Sequence, residues 1–123
     1  MKILESAENY LETIFMLKKQ YGEVRSIDIV NHLNFSKPSI STAMKHLKEN
    51  NFIEINNSGY ITLTKKGLEI ASAVCERHYL LTKFLTSIGV SEDVALEDAC
   101  KIEHYISDES YEKLKAYMLN VTE

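Results

Sequence analysis

Cys100, Glu103 and His104 stand at i, i+3 and i+4. On a helix that spacing brings a thiolate, a carboxylate and an imidazole onto one patch of surface. A divalent transition metal accepts all three donors. His78 falls within the apolar stripe of an earlier helical segment, where an imidazole without a partner gives up water for nothing. Asn9 and Glu12, at i and i+3, lie at the edge of a third apolar face. If these three helices converge, one pocket collects His78, Cys100, Glu103, His104 and up to two oxygen donors. Singly, each residue has a plainer reading: His78 as a core histidine bonded to a carbonyl, Glu12 as a solvated acid, Cys75 as a small packing hydrophobe. The trio together with His78 favours a metal site.

A second group suits nucleic acid. The run Ser36-Lys37-Pro38-Ser39-Ile40-Ser41-Thr42 opens a helix with short donors that let a backbone approach DNA, and Lys45, one turn on, reaches a phosphate. Ser39, Ser41, Thr42 and Lys45 lie off the Ile40, Ala43, Met44 and Leu47 stripe, so they face outward while the stripe packs inward. The plainer reading is a capped helix with solvated lysines; the ensemble, followed by a hairpin, argues for DNA. The net charge of −4 conceals two halves. Residues 1–66 carry +2 and residues 67–123 carry −6, while residues 36–66 alone carry +3. That basic footprint marks the DNA face.

The elements that must position these residues follow from periodicity. With 123 residues, 45% of them apolar, the chain can fill a core, and one Pro and four Gly argue for long helices with few loops. Tyr10, Leu11, Ile14, Phe15 and Leu17 predict a first helix from Ala7 that stops at Gly22. Ser26 is the expected N-cap of a short second helix. Ser36 caps a third that runs to about Glu49, with Pro38 in its first turn. The period then changes to two: Phe52, Ile53 and Ile55, then Tyr60, Ile61 and Leu63, flank a four-residue loop, Asn56 to Gly59, and predict a β-hairpin. This is a wing, with Asn56, Asn57 and the Gly59 backbone near phosphate. Leu68, Ala71, Val74, Cys75, His78, Leu81 and Leu85 predict a long fourth helix ending near Gly89. Ser91 caps a fifth, lined by Ala95, Ala99, Ile102 and Ile106. Ser107 opens a sixth, apolar at Tyr111, Leu114 and Met118. The expected fold is mainly α: a winged helix-turn-helix over 1–66, followed by a helical lobe over 67–123. No apolar run reaches the roughly 18 residues of a membrane span, and the start Met1 to Ser6 lacks a leader-like stretch, so a cytoplasmic location is expected.

The segments Ala99-Cys100-Lys101-Ile102-Glu103-His104, Ser107-Asp108-Glu109, Arg77-His78-Tyr79-Leu80-Leu81, Glu8-Asn9-Tyr10-Leu11-Glu12-Thr13-Ile14-Phe15 and Ser36-Lys37-Pro38-Ser39-Ile40-Ser41 resemble the diphtheria toxin repressor and manganese transport regulator family over nearly the whole chain. The resemblance implies a metal-dependent dimeric transcriptional repressor whose fourth to sixth helices form the dimerisation and metal-binding lobe. The end at residue 123 predicts a short form without the SH3-like domain of the larger iron-dependent members. The manganese branch usually has carboxylates where this chain has Asn9 and Cys100; the iron branch has Met and Cys there. Glu12 matches the manganese branch, and Thr82 stands where the iron branch places an acidic ligand of a second site.

The expectation is therefore a homodimer that binds a pseudo-palindromic operator in double-stranded DNA, with half-sites about one helical turn or a multiple apart. Its metal set is Asn9, Glu12, His78, Cys100, Glu103 and His104, and its DNA-facing set is Ser36, Lys37, Pro38, Ser39, Ser41, Thr42 and Lys45. The Cys100 thiolate softens the site, so Fe²⁺ is favoured over Mn²⁺, with Co²⁺, Ni²⁺ or Zn²⁺ able to substitute in vitro. No catalysis is required. The alternatives are a winged-helix thiol switch that senses oxidants through Cys100 or Cys75, and a small metalloenzyme with Glu103 as general base.

Overall fold

The computed structural model describes the backbone of residues 5–122 and the side chains of residues 6–120; the reading of Met1 to Ser6 as lacking a leader falls for its first four residues outside them. The order is α1 (Glu5–Tyr21), α2 (Ser26–Leu33), α3 (Lys37–Glu49), β1 (Ile53–Ile55), β2 (Ile61–Leu63), α4 (Lys65–Ser87), α5 (Glu92–Ile102) and α6 (Asp108–Thr122). This is the expected mainly α chain with a helix-turn-helix and a wing. The chain forms two compact units, residues 1–72 and 73–123, so the division falls inside α4.

In the first unit, Leu11, Ile14 and Leu17 of α1 are buried with Ile29 of α2, Ile40, Met44 and Leu47 of α3, Phe52, Ile53, Ile61 and Ala71. These are the apolar positions that the 3.6 and two-residue periods select. Gly22, at φ 88°, ends α1, as a C-terminal glycine does. Asn34 adopts the left-handed conformation after α2, and its N–H donates to the Val30 carbonyl at 2.9 Å. Ser36 caps α3: its Oγ accepts the Ser39 N–H at 3.2 Å, and Pro38 sits in the first turn.

The cap of α2 differs from expectation. Ser26 is the first helical residue; Arg25 holds the cap position, and its N–H donates to the Asp28 carboxylate at 2.8 Å. An acid at the third helical position satisfies that N–H and complements the helix dipole, so the chain enters one residue earlier.

β1 and β2 pair antiparallel, with Ile53 opposite Leu63 and Ile55 opposite Ile61. Five residues, Asn56 to Tyr60, lie between them; the Asn56 side chain accepts the Ser58 and Tyr60 N–H groups at 3.0 and 2.9 Å. The loop is one residue longer than its turn signal because Tyr60 belongs to the turn closure. The Ile61 N–H also donates to the Val24 carbonyl at 2.7 Å, which ties the wing to the chain before α2.

The start of α4 is set by Thr64, whose hydroxyl accepts the Gly67 N–H at 3.1 Å and donates to the Asn51 carbonyl at 2.7 Å. Gly67 lies directly against the Phe52 carbonyl, in space a side chain would fill. Leu68, expected on the apolar stripe, is 45% exposed. At 3.6 residues per turn it lies about 100° round the helix from Gly67, whereas Ala71, Val74 and Leu81 stay close to the Gly67 line and are buried.

In the second unit, Val74 and Leu81 of α4, Ala95 and Ala99 of α5, and Tyr111 and Met118 of α6 are buried. Ser91 takes the cap position of α5 without a side-chain cap bond. Ser107 caps α6 through the Ser110 N–H at 3.1 Å. Among the described residues no helix is long and apolar enough to cross a membrane.

Candidate metal centre and DNA-facing helix

The thiolate, carboxylate and imidazole expected on one run of helix are carried differently. α5 ends at Ile102; Glu103 is its C-cap, still helical at φ −57° and ψ −27°, with its N–H donating to the Ala99 carbonyl at 3.0 Å. Glu103 thus keeps its helical position one turn after Cys100, while His104 lies on the turn that follows. Cys100 is exposed and Cys75 half-buried, and neither forms a disulfide.

The geometry within the second unit centres on Glu103, which is 1% exposed. One carboxylate oxygen, Oε2, meets His78 Nδ1 at 2.9 Å. The other, Oε1, stands 3.4 Å from Nε2 of His104, whose side chain is 2% exposed. Glu103 Oε1 accepts no hydrogen bond and is the only buried side-chain oxygen or nitrogen of that kind among the described residues. A buried carboxylate oxygen that accepts no hydrogen bond costs about 1–3 kcal/mol or more, and the two imidazoles beside this carboxylate supply further nitrogen donors. These residues fit a divalent metal: a cation at this place satisfies the orphaned oxygen and accepts the donors around it. Thr82 offers nothing acidic, and its hydroxyl donates to the His78 carbonyl at 2.8 Å.

The structure therefore brings together His78, Glu103 and His104, and places Cys100 one turn earlier at the surface. The two remaining candidates belong to α1 of the first unit. Asn9 is half-buried, and its main-chain carbonyl accepts the Thr13 hydroxyl at 2.8 Å. Glu12 is buried.

Sequence reasoning passed over a polar network on α4 and α6. Arg77 donates to the Ile106 carbonyl at 3.3 Å, pairs with Asp108 and lies over the Tyr111 ring. The Tyr111 hydroxyl donates to Glu76, which also pairs with Lys115 at 2.6 Å. Burial first, and then the bond to Glu76, push the Tyr111 phenol up to about 12. The sole sequence signal for the network is the position of Arg77 immediately before His78.

On the first unit, Ser36, Lys37, Pro38, Ser39, Ser41, Thr42 and Lys45 are all exposed, while Ile40, Met44 and Leu47 of the same helix are buried. The polar face of α3 is thus presented outward over its first two turns. Beside the wing stands a cation that the sequence reading did not single out, Arg25 at the cap of α2, whose guanidinium lies 4.4 Å from the centroid of the Tyr60 ring in the hairpin loop.

Residues 2–61 match the model of the iron dependent repressor N-terminal DNA binding domain, and residues 64–123 that of the iron dependent repressor metal binding and dimerisation domain. An HTH-type transcriptional regulator of Methanocaldococcus jannaschii is 33% identical over 116 residues, 93% of either chain. The transcriptional regulator MntR of Escherichia coli O157:H7 is 31% identical over 92% of this chain and 73% of its own. Among solved structures, a manganese-dependent transcriptional repressor in complex with manganese superposes with a TM-score of 0.82 at 26% identity, covering 90% of this chain. The present chain spans about half the length of that structure, 51%.

Proposed function

This chain belongs to the iron-dependent repressor family, the metal-dependent DNA-binding transcriptional repressors, and from that premise we propose how its residues divide the work. His78, Glu103 and His104 hold the metal from the second unit, and Cys100 adds a thiolate. Glu12 and Asn9 supply oxygen from α1. The observation that carries this reading is the buried Glu103 carboxylate with one oxygen accepting no hydrogen bond and two imidazoles beside it. A divalent ion supplies the positive charge that this carboxylate lacks. The direct test is binding of Co²⁺ to the apo protein, read by its visible absorption: binding lost in Glu103→Gln supports the set, and binding unchanged in that variant contradicts it.

The partner is double-stranded DNA, and the outward face of α3 carries the contacts through Ser36, Lys37, Pro38, Ser39, Ser41, Thr42 and Lys45. The protein acts as a homodimer on a pseudo-palindromic operator, each α3 taking one half-site. The exposed Val94, Leu96 and Tyr79 of the second unit supply apolar surface suited to association. Two substitutions separate positioning from reading. Lys45→Ala is expected to weaken binding to all sequences and to lower the salt slope by roughly one, because a phosphate contact carries no base information. Thr42→Ala is expected to alter preference among operators by about 1–3 kcal/mol at one base pair. Unchanged affinity and unchanged preference in both would reject the assignment of α3.

Fe²⁺ is the favoured effector over Mn²⁺, with Co²⁺, Ni²⁺ and Zn²⁺ as substitutes in vitro. A thiolate at Cys100 and a neutral amide at Asn9 both work against Mn²⁺, a hard ion at the weak end of the divalent order. Against this stands the likeness to a manganese-dependent repressor. The double substitution Cys100→Glu with Asn9→Asp is expected to shift activation toward Mn²⁺ in anaerobic DNA-binding titrations. Activation of the unaltered protein by Mn²⁺ at lower free concentration than by Fe²⁺ overturns the preference.

A further inference from the structure

Arg77 precedes His78 on α4 and reaches the segment that follows the metal-site turn. Its Nη1 donates to the Ile106 carbonyl at 3.3 Å, and its Nη2 pairs with the carboxylate of Asp108, the first residue of α6. Its guanidinium carbon lies 5.1 Å from the centroid of the buried Tyr111 ring. Three contacts from one side chain thus grip residues 106–111.

Glu103 and His104 lie past the last residue of α5, on a turn closed by the Tyr105 and Ile106 N–H groups donating to the Ile102 carbonyl at 3.0 and 2.9 Å. These two bonds and that of the Glu103 N–H to the Ala99 carbonyl tie the turn to the end of α5, and regular helix stops at Ile102. The turn's place against α4 is set by the side chains that cross to it. Two neighbouring residues of α4 are among those that cross: His78 to the Glu103 carboxylate at 2.9 Å, and Arg77 to the far end of the turn. Resting on the metal reading given above, we propose that Arg77 is a positioning residue of the metal centre, holding the 103–108 segment so that Glu103 and His104 stay in register with His78.

The side-chain type supports the role. A guanidinium presents donors in a rigid fork, so one group satisfies a carbonyl and a carboxylate together and still stacks on a ring; an ammonium is a point charge on a flexible stem. The far half of the network, Tyr111 to Glu76 to Lys115, ties α6 to α4 without touching residues 103–107, and serves as the internal control.

The experiment is Co²⁺ binding to the apo protein, followed by the d–d absorption, beside urea unfolding of each variant. Arg77→Ala is expected to weaken Co²⁺ binding by about 10–100-fold, the usual effect of removing a group that orients metal ligands, and to alter the d–d spectrum. Arg77→Lys keeps the charge and loses the fork; it is expected to lose about fivefold or more. Lys115→Ala is expected to lower the urea midpoint while leaving the Co²⁺ dissociation constant within about twofold of the unaltered protein. Arg77→Ala binding Co²⁺ as tightly as the unaltered protein overturns the proposal, and Arg77→Lys decides in the same way if the alanine variant does not fold. Failure of the unaltered protein to bind Co²⁺ overturns the metal reading and this inference together, whereas tight binding by both proteins overturns the role of Arg77 alone.

Discussion

Glu103→Gln is expected to abolish metal-stimulated DNA binding while leaving the apo protein at least as stable as before. Glutamine keeps the shape and an oxygen able to pair with His78, and it removes a buried negative charge whose Oε1 has no hydrogen-bond partner. Relief of that penalty is worth on the order of 1 kcal/mol. The two effects have opposite signs, as expected of a side chain kept for binding at the expense of stability. His104→Ala should likewise raise the metal concentration needed for activation by about 100-fold or more, at or beyond the upper end of the effect seen for groups that only orient ligands. Thermal unfolding of the apo proteins and metal-titrated DNA binding check both halves. A Glu103→Gln protein that unfolds earlier yet still responds to metal would mark Glu103 as structural.

The second large effect concerns the junction of wing and α4. Gly67→Ala is expected to destabilise the protein by roughly 2–4 kcal/mol, because the new Cβ overlaps the Phe52 carbonyl oxygen and the helix start must shift. That oxygen is held in place by the Thr64 N–H at 3.1 Å, so it cannot swing away cheaply. Inside an ordinary helix the same change stabilises by about 1 kcal/mol, which makes the sign itself diagnostic. Urea unfolding is the measurement; a midpoint that rises shows the close approach to be relieved at no cost.

The element order was legible in the sequence because each segment carries an undiluted period: Leu11, Ile14 and Leu17 at helical spacing, and the Ile53, Ile55, Ile61 and Leu63 alternation at spacing two. Short-range chemistry was legible where one signal stood alone, as with Ser36 and Pro38 at the start of α3. It misled where two signals competed, as where Asp28 moved the α2 cap from Ser26 to Arg25. Leu68 was misplaced because an apolar residue near a stripe is taken onto it, although its angle puts it outside. The Val24–Ile61 bridge pairs single residues and has no period to read. At the proposed site, the i, i+3, i+4 spacing singled out Glu103 and His104, and an apolar stripe singled out His78; the structure brings these three side chains together. The end of α5 at Ile102 was hidden: Ile106 continues the apolar spacing, and the contact of Arg77 with Asp108 beyond the turn joins residues about 30 apart in sequence.

The central claim is that metal bound beside Glu103 strengthens DNA binding, and one titration tests it most directly. An operator duplex recovered from a random pool is titrated with the protein under anaerobic conditions, with and without saturating Fe²⁺, and binding is followed by fluorescence anisotropy. A coupling of about 1–3 kcal/mol predicts DNA binding about 5–150-fold tighter with metal, reversed by a chelator and unaffected by peroxide added to the apo protein. Equal affinity with and without metal would contradict the account.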